Sequence, residues 1–209
     1  AKKYQAVQFD AAIAESHKAS VFLSQYGPQL LGDIPHVYHT PDYIKDSPRS
    51  KALKPQFRDA IEKTLQMALQ QNNYAEQIFI IDGQNIMSRN VLKTLLPLLE
   101  KRSELNVTIL KDHSIAELQE KLSALPTNSI VFYNLLFKDK TGKRLVPEEA
   151  LATIAKSSNA PIYSFSGSLL GKGAVGGHVH DGVSSGLQMV NAVMDYLEQG
   201  AFKETYPKL

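Results

Sequence analysis

The stretch QIFIIDGQNIMSRNVLKTLLPLLEKRSELNVTIL, residues 77–110, alternates strand and helix signals over a short distance. Apolar residues dominate 77–82 and 106–110, which is typical of buried strands. Between them, residues 85–102 place apolar side chains at helical spacing, with Pro97 late in the segment. Two strands joined by a helix of this length predict a right-handed βαβ unit with parallel strands.

The same alternation continues on both sides of this unit. Helices are predicted at 57–71, 114–125, 147–158 and 184–200, and strands at 129–134, 160–166 and 174–180. Ahead of them we predict a strand at 7–14, a helix at 16–27 closed by Gly27-Pro28, and a strand at 34–40. Residues 41–55 hold three prolines and much charge, so they are interpreted as a connection between two units.

The composition is that of an ordinary soluble globular protein. Of 209 residues, 43% are hydrophobic and 21% are charged. The 23 basic and 21 acidic residues are interspersed, so no nucleic-acid partner is predicted. Cysteine is absent, which excludes disulfides and thiolate metal sites.

No targeting or membrane segment is expected. No apolar run approaches the ~18 residues that a membrane helix needs, and AKKYQAVQFD at residues 1–10 lacks the apolar core of a signal peptide. The sequence therefore predicts a mature or excised soluble piece, attached to a membrane only through flanking segments outside it.

GSLLGKGAVGGHVHDG, residues 167–182, carries the strongest suggestion of chemistry. A phosphate-binding loop is disfavoured because Gly167 and Gly171 are one residue too close together and Gly173 stands where a hydroxyl residue is required. His178 and His180 would share one face of a strand and could bind zinc with Asp181 nearby. No further ligand follows at suitable spacing, so we predict a structural pair, no metal and no cofactor.

Evidence for an enzyme is weak elsewhere too. Ser16 and His17 are adjacent, a spacing that rarely allows proton transfer, and no G-x-S-x-G motif is present. The chain is therefore predicted not to be an enzyme. A small α/β hydrolase or metal enzyme stays open as a third hypothesis. Metal analysis would favour it if the purified protein held stoichiometric zinc and a His178/His180 double alanine variant did not.

Residues 125–177 resemble a known family, and the resemblance extends upstream through FRDAIEKTLQMALQ and FDAAIAES…IPHVYHT, so that it covers most of the chain. LPTNSIVFYNLLFKDKTGKRLVPEEALATIAKSSNAPIYSFSGSLLGKGAVGG is similar to runs in the periplasmic-binding-protein-like (ABC-type substrate-binding-like) sensor domains of bacterial histidine kinases and diguanylate cyclases (GGDEF type). The resemblance depends on the order and spacing of five short groups. They are Phe137-Lys138-Asp139 with Gly142, Pro147-Glu148-Glu149, Ala160-Pro161-Ile162-Tyr163, Leu170-Gly171-Lys172-Gly173 and Val175-Gly176-Gly177.

The resemblance implies an α/β, type I periplasmic-binding-protein-like fold with two doubly wound parallel-sheet lobes. Lobe 1 would combine residues 1–50 with 181–209, lobe 2 would span 55–173, and 174–180 would be a crossover strand. Gly173, Gly176 and Gly177 would form the hinge, since glycine tolerates backbone dihedral angles that other residues avoid. Family members carry a further β-α-β segment before the first residue here, so lobe 1 is expected to be truncated at its N-terminus.

The implied function is ligand sensing on the periplasmic face of the inner membrane. An amino acid, sugar or small acid would bind between the lobes, and closure would act on a downstream signalling homodimer. Ligand contacts are predicted at residues that follow strand ends, with Tyr133 and Phe165 as walls. The polar candidates are Ser16, His17, His39 and Thr40 from lobe 1, and Gln84, Asn85, Asn134 and Ser166 from lobe 2.

The alternative function is the solute-binding component of an ABC importer, which would share the fold. The FKDKTG…VPEE segment resembles the sensor branch, which favours the sensor. Protonation of His178 and His180 near a closing cleft is a further hypothesis, in which pH tunes closure.

Overall fold

The computed structural model of the chain describes residues 7–39, 44–53, 57–179 and 182–206. Its contacts group into two compact units, Ala1–Pro55 with Asp181–Leu209, and Gln56–His180. We call them unit 1 and unit 2 and describe each by itself.

Unit 2 is built on a parallel sheet of four strands in the order β5-β4-β6-β7. Its strands are β4 (Gln77–Ile81), β5 (Asn106–Leu110), β6 (Ser129–Tyr133) and β7 (Ile162–Ser164). Its α-helices are α2 (Phe57–Gln71), α3 (Ile86–Leu99), α4 (Ile115–Ser123) and α5 (Pro147–Ala155). The predicted α/β architecture with parallel strands is confirmed.

Helices cover both faces of this sheet because its central strands are apolar on both sides. Ile130 and Phe132 of β6 pack with α2 and α3, and Val131 between them packs with α4 and α5. A strand that is buried on both faces has a continuous run of apolar residues, and IVFY at 130–133 is such a run. The Tyr163 hydroxyl donates to Gln71 Oε1 at 2.8 Å and accepts from Asn72 Nδ2 at 2.9 Å. The hydroxyl of this buried residue therefore keeps its hydrogen bonds.

Unit 1 holds a parallel sheet of three strands in the order β1-β2-β3. Its elements are β1 (Ala12–Ala14), α1 (His17–Leu31), β2 (His36–His39), β3 (Ser50–Leu53) and α6 (Gly182–Gln199). Val37 packs with α6 and Tyr38 packs with α1. Neighbouring strand residues point to opposite faces, so the two helices cover opposite sides of the sheet.

Three predictions about elements were wrong. Strand β3 lies in the segment interpreted as a connection, because it pairs along its whole length with β2, from His36–Ser50 to His39–Leu53. Helix α1 continues through Pro28 to Leu31 rather than ending at Gly27. Gly27 lies against the His36 ring, where a Cβ would be 2.8 Å from Cε1, so packing on β2 supports the helix past the proline.

The third wrong prediction is the strand at 174–180. Its described residues form only isolated parallel bridges, Leu170 with Ala174 and Tyr163 with Gly176. Gly173 has φ +117°, which turns the chain, and the Gly177 backbone approaches so closely that a Cβ would lie 1.9 Å from the Ser164 carbonyl oxygen. Close approach therefore accounts for glycine at position 177, without a left-handed dihedral angle. A hinge role for these glycines stays a prediction.

His36 at the start of β2 is buried, with 5% of its surface exposed. Its Nε2 is a buried atom for which the described part of the chain supplies no hydrogen-bond partner, and burial lowers its pKa below the ordinary 6.5. The unfolded imidazole therefore binds a proton at a higher pH than the folded one, and stability should fall as the pH drops below about 6.5.

We expect the His36→Gln variant to lose part of the decrease in melting temperature that the parent shows between pH 7.5 and 5.5. His178→Gln, the same change at an exposed histidine, is the matched control and should keep the parental decrease. Thermal unfolding at the two pH values measures both. Equal decreases in the parent and in His36→Gln would show that His36 does not contribute.

Candidate functional site

The candidate site lies in unit 2, where β4, β6 and β7 end. The strands are parallel, so their carboxyl ends meet at one edge of the sheet, the usual place for ligands in open α/β folds. The N-terminus of α3 borders the same edge, because α3 follows β4 after a loop of only four residues, 82–85.

Hydrogen bonds from Asp82 and Asn85 hold this loop in place. Asp82 Oδ1 accepts from the Gln84 amide at 2.9 Å and from the Ser88 hydroxyl at 2.5 Å. Asn85 caps α3 by accepting from the Ser88 amide at 3.0 Å, and its Nδ2 donates to the Leu135 carbonyl at 2.6 Å. The loop after β4 is thus bonded directly to the residues that follow β6.

Gly83 allows the two loops to approach each other. A Cβ at this position would lie 2.0 Å from the Leu135 carbonyl oxygen and 2.7 Å from Asn85 Nδ2. No side chain larger than hydrogen fits there without separating the loops.

A pocket of about 60 Å³, open to solvent, lies between the first turns of α3 and the ends of β6 and β7. The lining residues carry no formal charge. They are Met87, Ser88, Asn90 and Val91 of α3, with Tyr133, Asn134, Leu135, Ser164, Phe165 and Ser166 from the strand ends.

Asn134 contributes a buried polar side chain to this pocket. Its backbone amide donates to the Ile81 carbonyl at 3.1 Å, which fixes the residue beside β4. The residue is 3% exposed, and its side-chain Nδ2 is buried with no partner among the described residues. A buried donor left in this state costs about 1–3 kcal/mol, so a group from outside the protein, either a ligand or water, is expected to pair with it.

Phe165 forms an apolar wall of the pocket. Its ring stacks on Phe132, with the ring centroids 5.6 Å apart and the planes at 14°. Phe165 belongs to the core cluster under α2 and α3 and is 7% exposed. The wall is therefore rigid, and it can accept the flat or apolar face of a ligand.

Four of the predicted ligand residues border this pocket, namely Tyr133, Asn134, Phe165 and Ser166. The Tyr133 ring, however, packs with the opposite core cluster, and its hydroxyl donates to the Pro147 carbonyl at 2.9 Å. Burial raises the pKa of Tyr133, so the phenol stays neutral. The ring of Phe165, rather than that of Tyr133, is the aromatic surface suited to a ligand.

Gln84 and Asn85 take other positions. Gln84 borders a separate small depression, where its Nε2 donates to Asp112 Oδ1 at 2.8 Å. Gln84 and Asp112 both have left-handed backbones, with φ 50° and 57°. Asn85 uses its side chain for the helix cap and the bond to Leu135, so both of its polar atoms already have partners.

The predicted candidates from lobe 1 lie in unit 1. Ser16 caps α1 by accepting from the Ala19 amide at 3.3 Å. His17 is half-buried at the first position of α1, and His39 is buried at the end of β2. Thr40 lies outside the described residues. A ligand role for these four residues stays a prediction.

Reasoning from strand ends missed the contribution of α3. Met87, Ser88, Asn90 and Val91 line the pocket although they follow no strand directly. A capping asparagine directly before an apolar helix predicts where the helix begins, and the first turn of that helix faces the same edge as the strand ends. This signal was present at Asn85.

Within 7–39, 44–53, 57–179 and 182–206, no three His, Cys, Asp or Glu side chains lie close enough together to hold a metal ion. His178 is exposed, and its backbone N–H donates to the buried Thr64 hydroxyl at 2.9 Å. His180 lies outside the described residues. None of the helices in the same ranges is both long and apolar enough to cross a bilayer.

Solved structures share this fold. A LacI family transcriptional regulator from Arthrobacter sp. FB24, in complex with lactose, is similar with a TM-score of 0.61 and 13% identity over 97% of this chain and 74% of that one. An ABC transporter solute binding protein from Thermobispora bispora gives 0.59 and 16% over 95% and 63%. An ABC domain in complex with L-Trp from Streptococcus pneumonia gives 0.56 and 16% over 98% and 68%.

These similarities show the fold, which is α/β and type I periplasmic-binding-protein-like. This fold is typical of extracytoplasmic binding proteins. The chain spans between 63% and 74% of the length of these three structures. No protein-family model matches the sequence, and no curated protein matches it.

Proposed function

We propose that this protein binds a small polar molecule in the pocket formed by Asn134, Phe165 and the first turns of α3. The observation that carries the proposal is the unpaired, buried amide of Asn134 at the carboxyl edge of a parallel sheet. The candidate ligands are amino acids, sugars and small acids. The lactose and L-Trp complexes of proteins with the same fold support this range.

The proposed role is that of a non-enzymatic, extracytoplasmic sensing domain of a bacterial signalling protein, either a histidine kinase or a diguanylate cyclase. The support for this role is the resemblance of the FKDKTG…VPEE segment at residues 137–149. The residues that line the pocket include no carboxylate, imidazole or amine that could transfer a proton, which favours binding over catalysis. The proposal places the domain in the periplasm, within a signalling homodimer.

The alternative is the solute-binding component of an ABC importer, which is favoured by the similarity to the solute binding protein from Thermobispora bispora. The full-length protein separates the two roles. A sensor requires a transmembrane segment and a kinase or cyclase domain beyond Leu209, whereas an importer component requires a partner permease.

A thermal-shift screen of amino acids, sugars and small acids tests the proposal. A ligand present at about 100 times its Kd should stabilise the protein by about 2.7 kcal/mol, which corresponds to roughly 5–10 °C for a chain of this size. The shift should disappear in Asn134→Ala, because that variant lacks the amide that is proposed to pair with the ligand.

Asn128→Ala is the matched control for this screen. Asn128 lies just before β6, at the opposite edge of the same sheet, and its Nδ2 donates to Glu76 Oε2 at 2.9 Å. This variant should keep the parental shift. His39→Ala tests the predicted contribution of unit 1 in the same assay. Parental shifts in both Asn134→Ala and His39→Ala would show that the pocket is misplaced.

A further inference from the structure

We propose that the group entering this pocket is uncharged and carries a hydrogen-bond donor beside an acceptor, as a primary amide does, next to an apolar face. This inference rests on the proposed function, and it narrows the ligand class. It follows from the directions of the hydrogen bonds that line the pocket and from the charges around it.

Ser88 can offer the pocket only acceptor lone pairs. Its side chain carries a single proton, and that proton goes to Asp82 Oδ1 at 2.5 Å. Ser88 is 1% exposed and lines the pocket, so its oxygen is suited to accept a hydrogen bond from a donor on the ligand.

Asn134 requires a hydrogen-bond acceptor on the ligand. Its buried Nδ2 is a donor without a partner in the described chain, so it needs an acceptor oxygen. A neutral amide supplies both requirements at once. A carboxylate brings acceptors but no donor for Ser88, and an ammonium group brings donors but no acceptor for Asn134.

The surrounding charges act against an ionised group. None of the residues lining the pocket is charged. The nearby carboxylate of Asp82 already accepts from Ser88 and Gln84, and it would repel an anion placed beside Ser88. An ion buried there would lose its hydration without a counter-charge among the lining side chains, and the N-terminus of α3 would compensate an anion only in part.

The apolar part of the ligand has a defined place. Phe165, stacked on Phe132, offers a fixed ring, and Val91 and Met87 of α3 continue the apolar lining. A small aromatic amide therefore combines the required groups in one molecule.

Three single-ring probes test the inference on the intact protein, namely benzamide, benzoate and benzylamine, which is a cation at pH 7. Dissociation constants come from titrations followed by protein NMR chemical shifts. Benzamide should bind at least tenfold more tightly than either ion, and Asn134→Leu should abolish its binding. Ser88→Ala should weaken benzamide and leave benzoate unchanged, while Asn128→Ala should behave as the parent.

Any other result of these titrations overturns the inference. Each such result also differs from the result expected if the proposed function itself were wrong. Benzoate or benzylamine binding as tightly as benzamide, and lost in Asn134→Leu, would keep the pocket and reject the neutral class. Binding of all three probes that persists in Asn134→Leu would place them elsewhere. If no probe binds, the amide-like class is rejected, and the thermal-shift screen alone decides whether Asn134 serves another ligand.

Discussion

Replacing Asn134 by leucine is expected to raise the stability of the protein while abolishing ligand binding. The substitution removes a buried donor that has no partner in the described part of the chain, and it adds apolar surface beside Phe165. Relief of an unpaired buried donor is worth about 1–3 kcal/mol, which corresponds to an increase in melting temperature of roughly 2–4 °C for each kcal/mol. The backbone bond from position 134 to Ile81 does not depend on the side chain and should persist.

Such a gain would identify Asn134 as a residue kept for binding at a cost in stability. Asn128→Leu is the matched control, because it removes an asparagine whose Nδ2 already donates to Glu76. It should be neutral or slightly destabilising and should leave ligand binding intact. A loss of 1 kcal/mol or more in Asn134→Leu, measured by thermal unfolding without ligand, would instead show a structural role for the amide.

The sheet of unit 2 could be predicted from the sequence because burial on both faces leaves an unambiguous pattern. IVFY at 130–133 and IFII at 78–81 are continuous apolar runs of strand length, and helices at 3.6-residue spacing separate them. The parallel arrangement then follows from the connections. Reasoning from strand ends selected Asn134, Phe165 and Ser166, which border one pocket.

Other features depend on contacts that local sequence does not encode. SKAL at 50–53 has little strand preference, and it becomes β3 because β2 offers a parallel partner. Two asparagines follow strands, and their hydrogen bonds distinguish them. Asn85 Nδ2 donates to Leu135, whereas Asn134 Nδ2 has no partner among the described residues. The bond from Asn85 Nδ2 to the Leu135 carbonyl, 50 residues away in the chain, cannot be inferred from the local sequence.

Gly83→Ala is expected to be strongly destabilising and to weaken ligand binding. The new Cβ would lie 2.0 Å from the Leu135 carbonyl oxygen, which is backbone and can move only with the residues after β6. Relieving this overlap would also disturb the bond from Asn85 Nδ2 to the same oxygen. We expect a loss of about 3 kcal/mol, or roughly 6–12 °C in melting temperature.

Because Leu135 directly follows Asn134, the displacement should carry the binding amide with it, so the ligand-induced shift should decrease together with the melting temperature. Gly186→Ala is the control, since a Cβ at that position in α6 meets nothing within 4 Å. Alanine there should raise stability by up to about 1 kcal/mol, through helix propensity, and leave binding unchanged. A Gly83→Ala protein as stable as the parent would mean that the two loops separate freely, and the close approach that shapes the pocket would then have no energetic significance.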